Sequence, residues 1–100
     1  MVTWPLGAEQ FYNEKLVTDV LEIGVGVGAR VEDCVVEKGA IESALKRVMV
    51  GEEAEGFRNR AKSLALKANK AVQVGGSSYS HLSSLIQELH SRSWQSKLIC

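Results

Sequence analysis

Glu9 and Gln10 stand side by side in the opening stretch MVTWPLGAEQFYNEK, residues 1–15. A carboxylate accepts several hydrogen bonds, and a carboxamide both donates and accepts. Next to each other in one loop, the two suit a ligand with neighbouring hydroxyls, such as a sugar. Their surroundings supply such a loop. Met1–Trp4 is apolar and β-prone, and Pro5, which lacks an amide donor, ends a strand. Gly7 allows a turn, and a helical apolar pattern opens just after the pair. Open α/β sheets bind ligands in such strand-to-helix loops. A plainer account stands beside this one, and it is the commoner arrangement. An acidic residue in a helix's first turn complements the helix dipole, for about 0.3–1 kcal/mol.

Other residues invite chemistry and support it less. In GVGVGA, residues 24–29, Gly24, Gly26 and Ala29 match the spacing of a dinucleotide fingerprint. That fingerprint needs a strand before it and an apolar helix after it. Here a helical pattern precedes and RVED follows, so the glycines read as a strand packed closely against a neighbour. His81 and His90 lie nine residues apart on one helical pattern, out of line for the i, i+4 pair that would hold a metal. Each sits at the edge of an apolar stripe and reads as solvated or interfacial. Arg47, Arg58, Arg60, Lys62, Lys67 and Lys70 follow or flank Glu52, Glu53 and Glu55. Acids first and bases later match a helix dipole, and no aromatic residues interleave to stack bases.

The chain has 100 residues with 12 basic and 12 acidic side chains, so its formal net charge is zero. That balance gives no electrostatic case for nucleic acid or an anionic membrane surface. No apolar run approaches a membrane span, and no signal peptide is visible. Cys34 and Cys100 are the only cysteines. They suggest a reducing compartment and fit neither a disulfide scaffold nor a zinc site.

The elements that must position the pair follow from periodicity. A strand is expected at 1–4, and a helix from Glu9 whose face is Leu16, Val17, Val20 and Leu21. A second strand is expected at Ile23–Val27 and a loop at 29–36. Ile41, Ala44, Leu45, Val48 and Met49 mark a helix that Gly51 ends. A long helix is expected from Glu52 to Val74, stopped by Gly75 and Gly76. Ser77 or Ser78 caps a last helix with the stripe Tyr79, Leu82, Leu85, Ile86 and Leu89. Two short strands do not make a stable sheet alone. The expectation is therefore an α/β fold whose remaining sheet lies upstream, with Met1 an internal methionine or a late start.

Read as a word, MVTWPLGAEQFYNEKLV closely resembles the end of the signature box of plant family-1 UDP-glycosyltransferases, which glycosylate small secondary metabolites. That box closes with a Pro, a short spacer and an acidic-Gln pair, here Pro5, Leu6-Gly7-Ala8 and Glu9-Gln10. IGVGVG and the stretch from AIESALKRVMV to SHLSSLIQEL are similar to the C-terminal helices of the family's flavonoid and terpenoid branch. The resemblance implies the C-terminal part of the Rossmann-like donor-binding domain of a two-domain GT-B glycosyltransferase, mostly helical in this segment. Residues 1–90 would belong to that domain, with 91–100 a C-terminal tail. It also implies that Glu9 and Gln10 bind the hydroxyls of the donor sugar, with glucose expected because of the Gln. Trp4 would pack, and Gly7 departs from the bulkier, often aromatic residue of many members.

The family's catalytic His and partner Asp lie in its N-terminal half. Its uracil-stacking Trp and its His-Cys-Gly-Trp-Asn-Ser phosphate segment precede this stretch. Neither His81 nor His90 matches an active-site position. The expected partners are a UDP-sugar, as substrate, and a small hydroxylated acceptor, with no metal or other cofactor, in the cytoplasm. The alternative is a truncated, inactive product acting as an interaction module.

Overall fold

The strand expected at the N-terminus forms over Val2–Thr3 (β1), and buried Pro5 lies one residue past it, after Trp4. The computed structural model describes residues 1–33 and 35–99; Cys34 and Cys100 lie outside the described residues, as do the side chains of residues 96–99. The chain then builds α1 (Gln10–Lys15), a π-helical turn (Leu16–Val20), β2 (Val25–Gly26), α2 (Lys38–Met49), α3 (Ala54–Val72) and α4 (Ser77–Ile99). The order is the expected one: strand, helix, strand, three helices.

β1 and β2 are parallel, with Val2 opposite Val25 and Thr3 opposite Gly26. Val25 N–H donates to Met1 O and Val27 N–H to Thr3 O, both at 3.0 Å. Gly24 is glycine because the strands crowd it. A Cβ there would lie 2.6 Å from Met1 O and 3.0 Å from Val17 Cγ1. Among the described residues no helix follows until Lys38, so the GVGVGA run meets no helix N-terminus there to offer a phosphate.

The helix expected to run evenly from Glu9 is interrupted. Its second half is a π-helical turn, closed by Leu21 N–H to Leu16 O at 2.9 Å. Thr18 Oγ1 donates to Glu14 O at 3.0 Å and supports the wider turn. The turn changes which residues face inward. Val17 and Leu21 are half-buried, whereas Leu16 and Val20 are exposed. The expected face of four apolar residues is therefore reduced to two.

Residues Met1–Ser63 form one unit around Val25, Val27, Ala44 and Phe57, all buried. Val2, Ala29, Val36, Ile41 and Val48 pack against that cluster. Arg60 lies over the Phe57 ring, 5.4 Å from its centroid, and its Nε–H donates to Glu22 O. Arg58 Nη2 donates to Met49 O at 2.7 Å, and Arg47 pairs with Glu53 at 2.7 Å. Three residues of the basic run thus hold local structure rather than form a patch.

From Leu64 onward a second unit comprises the rest of α3 and α4. Gly75, at φ +84°, takes the left-handed conformation that ends α3. α4 continues through residue 90 without a break as far as Ile99, so the stretch 91–99 is helical.

Candidate functional site

Backbone geometry places the pair just beyond the end of β1. Pro5 ends the strand, and Ala8 turns the chain at φ +49°. Gln10 N–H donates to Gly7 O at 3.1 Å and Asn13 N–H to Glu9 O at 3.0 Å, which starts α1. Glu9 occupies the N-cap position, but with helical angles (φ −69°, ψ −12°) and no side-chain capping bond. It stands outside the first turn, and only six residues of α-helix follow. An N-cap carboxylate still lies close to the positive end of the helix dipole, so the dipole account stands beside the sugar-binding one. Glu9 and Gln10 are both exposed.

Gln10 is held more firmly than its neighbour. Its Oε1 accepts from Leu6 N–H at 2.8 Å, across the loop. A backbone N–H can only donate, so the carboxamide must present its oxygen to the loop and its Nε2 outward. Gln10 is thus poised chiefly as a donor, rather than as an even donor and acceptor.

Gln10 also lines a hollow of about 300 Å³, together with Met1, Thr3, Trp4, Pro5, Asn13, Glu14 and Val17. Glu9 is not among the lining residues. Trp4, expected to pack, is 50% exposed and forms part of this wall. Gly7 is open, with nothing within 4 Å of a Cβ built there.

Two polar residues of the hollow escaped the reading of the sequence. Thr3 Oγ1, on β1, donates to Glu14 Oε2, on α1, at 2.6 Å. The same Oε2 would lie 2.8 Å from a Cβ at Gly26 on β2, so the absent side chain is what admits the carboxylate. Glu14 is half-buried in a run that is otherwise exposed at Tyr12, Asn13 and Lys15. The available signal was its spacing: Gln10 and Glu14 are four residues apart and share a helix face.

The histidines stand elsewhere, on α4. His90 Nε2 accepts from Trp94 Nε1–H at 3.2 Å, so it serves a local helical pair. Among the described residues, no three His, Cys, Asp or Glu side chains are grouped as a metal site would require. No described helix is long and apolar enough to cross a membrane.

No protein-family model matches the chain. Solved structures and curated relatives do. The crystal structure of Glycyrrhiza uralensis UGT73P12 complexed with glycyrrhetinic acid 3-O-monoglucuronide superposes with a TM-score of 0.85 at 46% identity. That match covers 94% of this chain and 21% of the neighbour. Os79 from O. sativa in complex with UDP superposes at 0.80 and 28% identity, over 87% of this chain and 19% of that one. The fold is that of a segment of a GT-B glycosyltransferase, mostly helical with a small parallel sheet.

Sequence narrows the class. Scopoletin glucosyltransferase of Nicotiana tabacum is 55% identical over 93 residues, which are 89% of this chain and 20% of the relative. Anthocyanin 3'-O-beta-glucosyltransferase of Gentiana triflora is 55% identical over 97 residues, 91% and 20% of the two. The chain is a homologue of the plant UDP-glycosyltransferases, spanning about a fifth of the length of the relatives it matches.

Proposed function

We propose that this chain is the donor-sugar-holding portion of a UDP-dependent glycosyltransferase, with glucose as the sugar. Glu9 accepts hydrogen bonds from sugar hydroxyls, and Gln10 donates through Nε2. The observation that carries the reading is the pair's state: Glu9 makes no capping bond, and Gln10 is locked by Leu6 with its donors facing outward. The likeness to glucosyltransferases named for scopoletin and anthocyanin supports it and suggests a small hydroxylated plant metabolite as acceptor. On this reading the UDP-sugar is a substrate, no metal or other cofactor is used, and the protein works in the cytoplasm.

The chemistry assigned to these residues is positioning. The reaction expected from the resemblance is inverting: a base takes the acceptor's proton, the oxygen attacks the anomeric carbon, and UDP leaves. Fixing the sugar's hydroxyls orients that carbon for in-line attack. His81 and His90 lie on α4, in the second unit, and on this reading the base comes from outside this segment.

The test uses a chimera in which this chain replaces the aligned segment of the tobacco scopoletin glucosyltransferase. Hydrogen bonds to a charged group contribute about 1.5–3 kcal/mol each, so Glu9→Ala should cost about one to two powers of ten in kcat/KM for UDP-glucose. Gln10→Ala should follow it, while free UDP binds all forms alike. Equal losses for UDP and UDP-glucose, or none for either, would remove the assignment.

The exposed stripe Tyr79, Leu82, Leu85, Ile86 and Leu89 favours a second reading, a non-catalytic interaction module. A chimera that folds and binds UDP, yet transfers no sugar, would support that reading instead.

A further inference from the structure

Thr3, Glu14 and Gly26 come from three separate elements and meet at one atom. Glu14 Oε2 accepts from Thr3 Oγ1 at 2.6 Å, and it occupies space that a Cβ at Gly26 would enter at 2.8 Å. Glu14 is one helical turn beyond Gln10, and both line the same hollow. The carboxylate therefore bonds α1 to β1 and rests against Gly26 of β2, one helical turn after the carboxamide. Gln10 itself is tethered only to the loop, through Leu6 N–H. The loop is exposed, so something must set the pitch and rotation of α1 against the sheet. A charged acceptor for a short hydroxyl bond, seated over a glycine, does so with one allowed geometry, since a charge-assisted O–H···O⁻ bond is both short and strong.

We propose that Thr3, Glu14 and Gly26 form a positioning interlock that aims Gln10 at the donor sugar. This rests on the sugar-binding reading of Glu9 and Gln10. Glu14 touches no substrate in this account; it acts through the helix it anchors. Glu14→Gln keeps an acceptor oxygen for Thr3 but loses the charge, so it should weaken the aim less than Thr3→Val does. Thr3→Val removes the donor while keeping the shape, and Gly26→Ala displaces the carboxylate.

The experiment compares UDP-glucose with UDP in the same chimera, well below its melting temperature. Thr3→Val and Gly26→Ala should each raise KM for UDP-glucose about three- to tenfold, with UDP affinity unchanged. Glu14→Gln should raise KM for UDP-glucose by less than Thr3→Val does, falling between that variant and the parent. The clash at Gly26 is with the Glu14 side chain, so Gly26→Ala should add nothing further in a Glu14→Ala background. A fall in Tm with no change in the preference for UDP-glucose over UDP would reduce the trio to a structural contact and overturn the proposal. Additive losses in the Gly26→Ala, Glu14→Ala double variant would overturn it as well. If Glu9→Ala and Gln10→Ala leave sugar binding intact, the underlying reading fails, and this proposal falls with it. If those two lose sugar affinity while Thr3→Val and Gly26→Ala do not, the interlock alone is refuted.

Discussion

At Gly24 the missing side chain is a packing requirement. A Cβ would meet Met1 O, a backbone atom that cannot swing aside, at 2.6 Å. Gly24→Ala should therefore cost about 1–3 kcal/mol, as overpacking does, seen as a lower Tm of the chimera. Gly7 is the internal control: nothing lies within 4 Å, and it does not need the left-handed region. Gly7→Ala should be neutral or stabilise by about 0.4–1 kcal/mol, by narrowing the unfolded ensemble. Equal effects at the two positions would show that the strand contact does not explain the glycines. Pro5 and Gly7 mark the end of a strand and a turn, so the loop that carries Glu9 and Gln10 was legible, while a sugar-binding role for the pair came only from the family resemblance. The sequence could not reveal Thr3 with Glu14. That bond spans 11 residues and depends on how α1 packs against β1, which apolar patterning does not determine.

Among the elements, α2 and α3 were legible because each carries a sustained 3.6-residue stripe with glycine after it, and α4 because its stripe begins just past Gly75 and Gly76. The π-helical turn was not. Leu16, Val17, Val20 and Leu21 fit an α-helical face, and nothing in that spacing reports the extra residue in the turn. The continuation of α4 beyond Leu89 was also hidden, since the apolar stripe stops there. Polar i, i+4 pairs carry it on: Arg92 with Glu88 at 2.7 Å and Trp94 with His90. The start of α2 offers a prediction at this scale. Glu37 holds the N-cap in extended geometry (φ −71°, ψ 147°) with no side-chain capping bond. A shorter side chain reaches the free N–H groups of the first turn better. Glu37→Ser should stabilise the chimera by about 0.5–1 kcal/mol, raising its Tm; an unchanged or lower Tm would mean that Glu37 already serves the helix by another route.

For the molecule as a whole, the question is whether this chain stands alone. Its buried apolar residues are Val25, Val27, Ala44, Ala54 and Phe57, among the described residues. Each large side chain so buried contributes about 1.5–3 kcal/mol, while ordering each residue's backbone opposes folding by about 1–2 kcal/mol. Its two strands are two residues each, too few for a sheet that is stable by itself. Along α4, Tyr79, Leu82, Leu85, Ile86 and Leu89 are 46–58% exposed, a row of apolar side chains in water. Exposed patches of this kind promote association. The 100-residue chain should therefore melt broadly or self-associate, as read by calorimetry and by light scattering after size exclusion. It should also release no glucose from UDP-glucose to a phenolic acceptor, because on the proposed reading the catalytic base comes from outside this segment. A monomer with one sharp transition above about 50 °C, typical of an intact mesophile domain, would show that these surfaces are self-sufficient. Turnover by that monomer, surviving replacement of both His81 and His90, would place the chemistry within this segment after all.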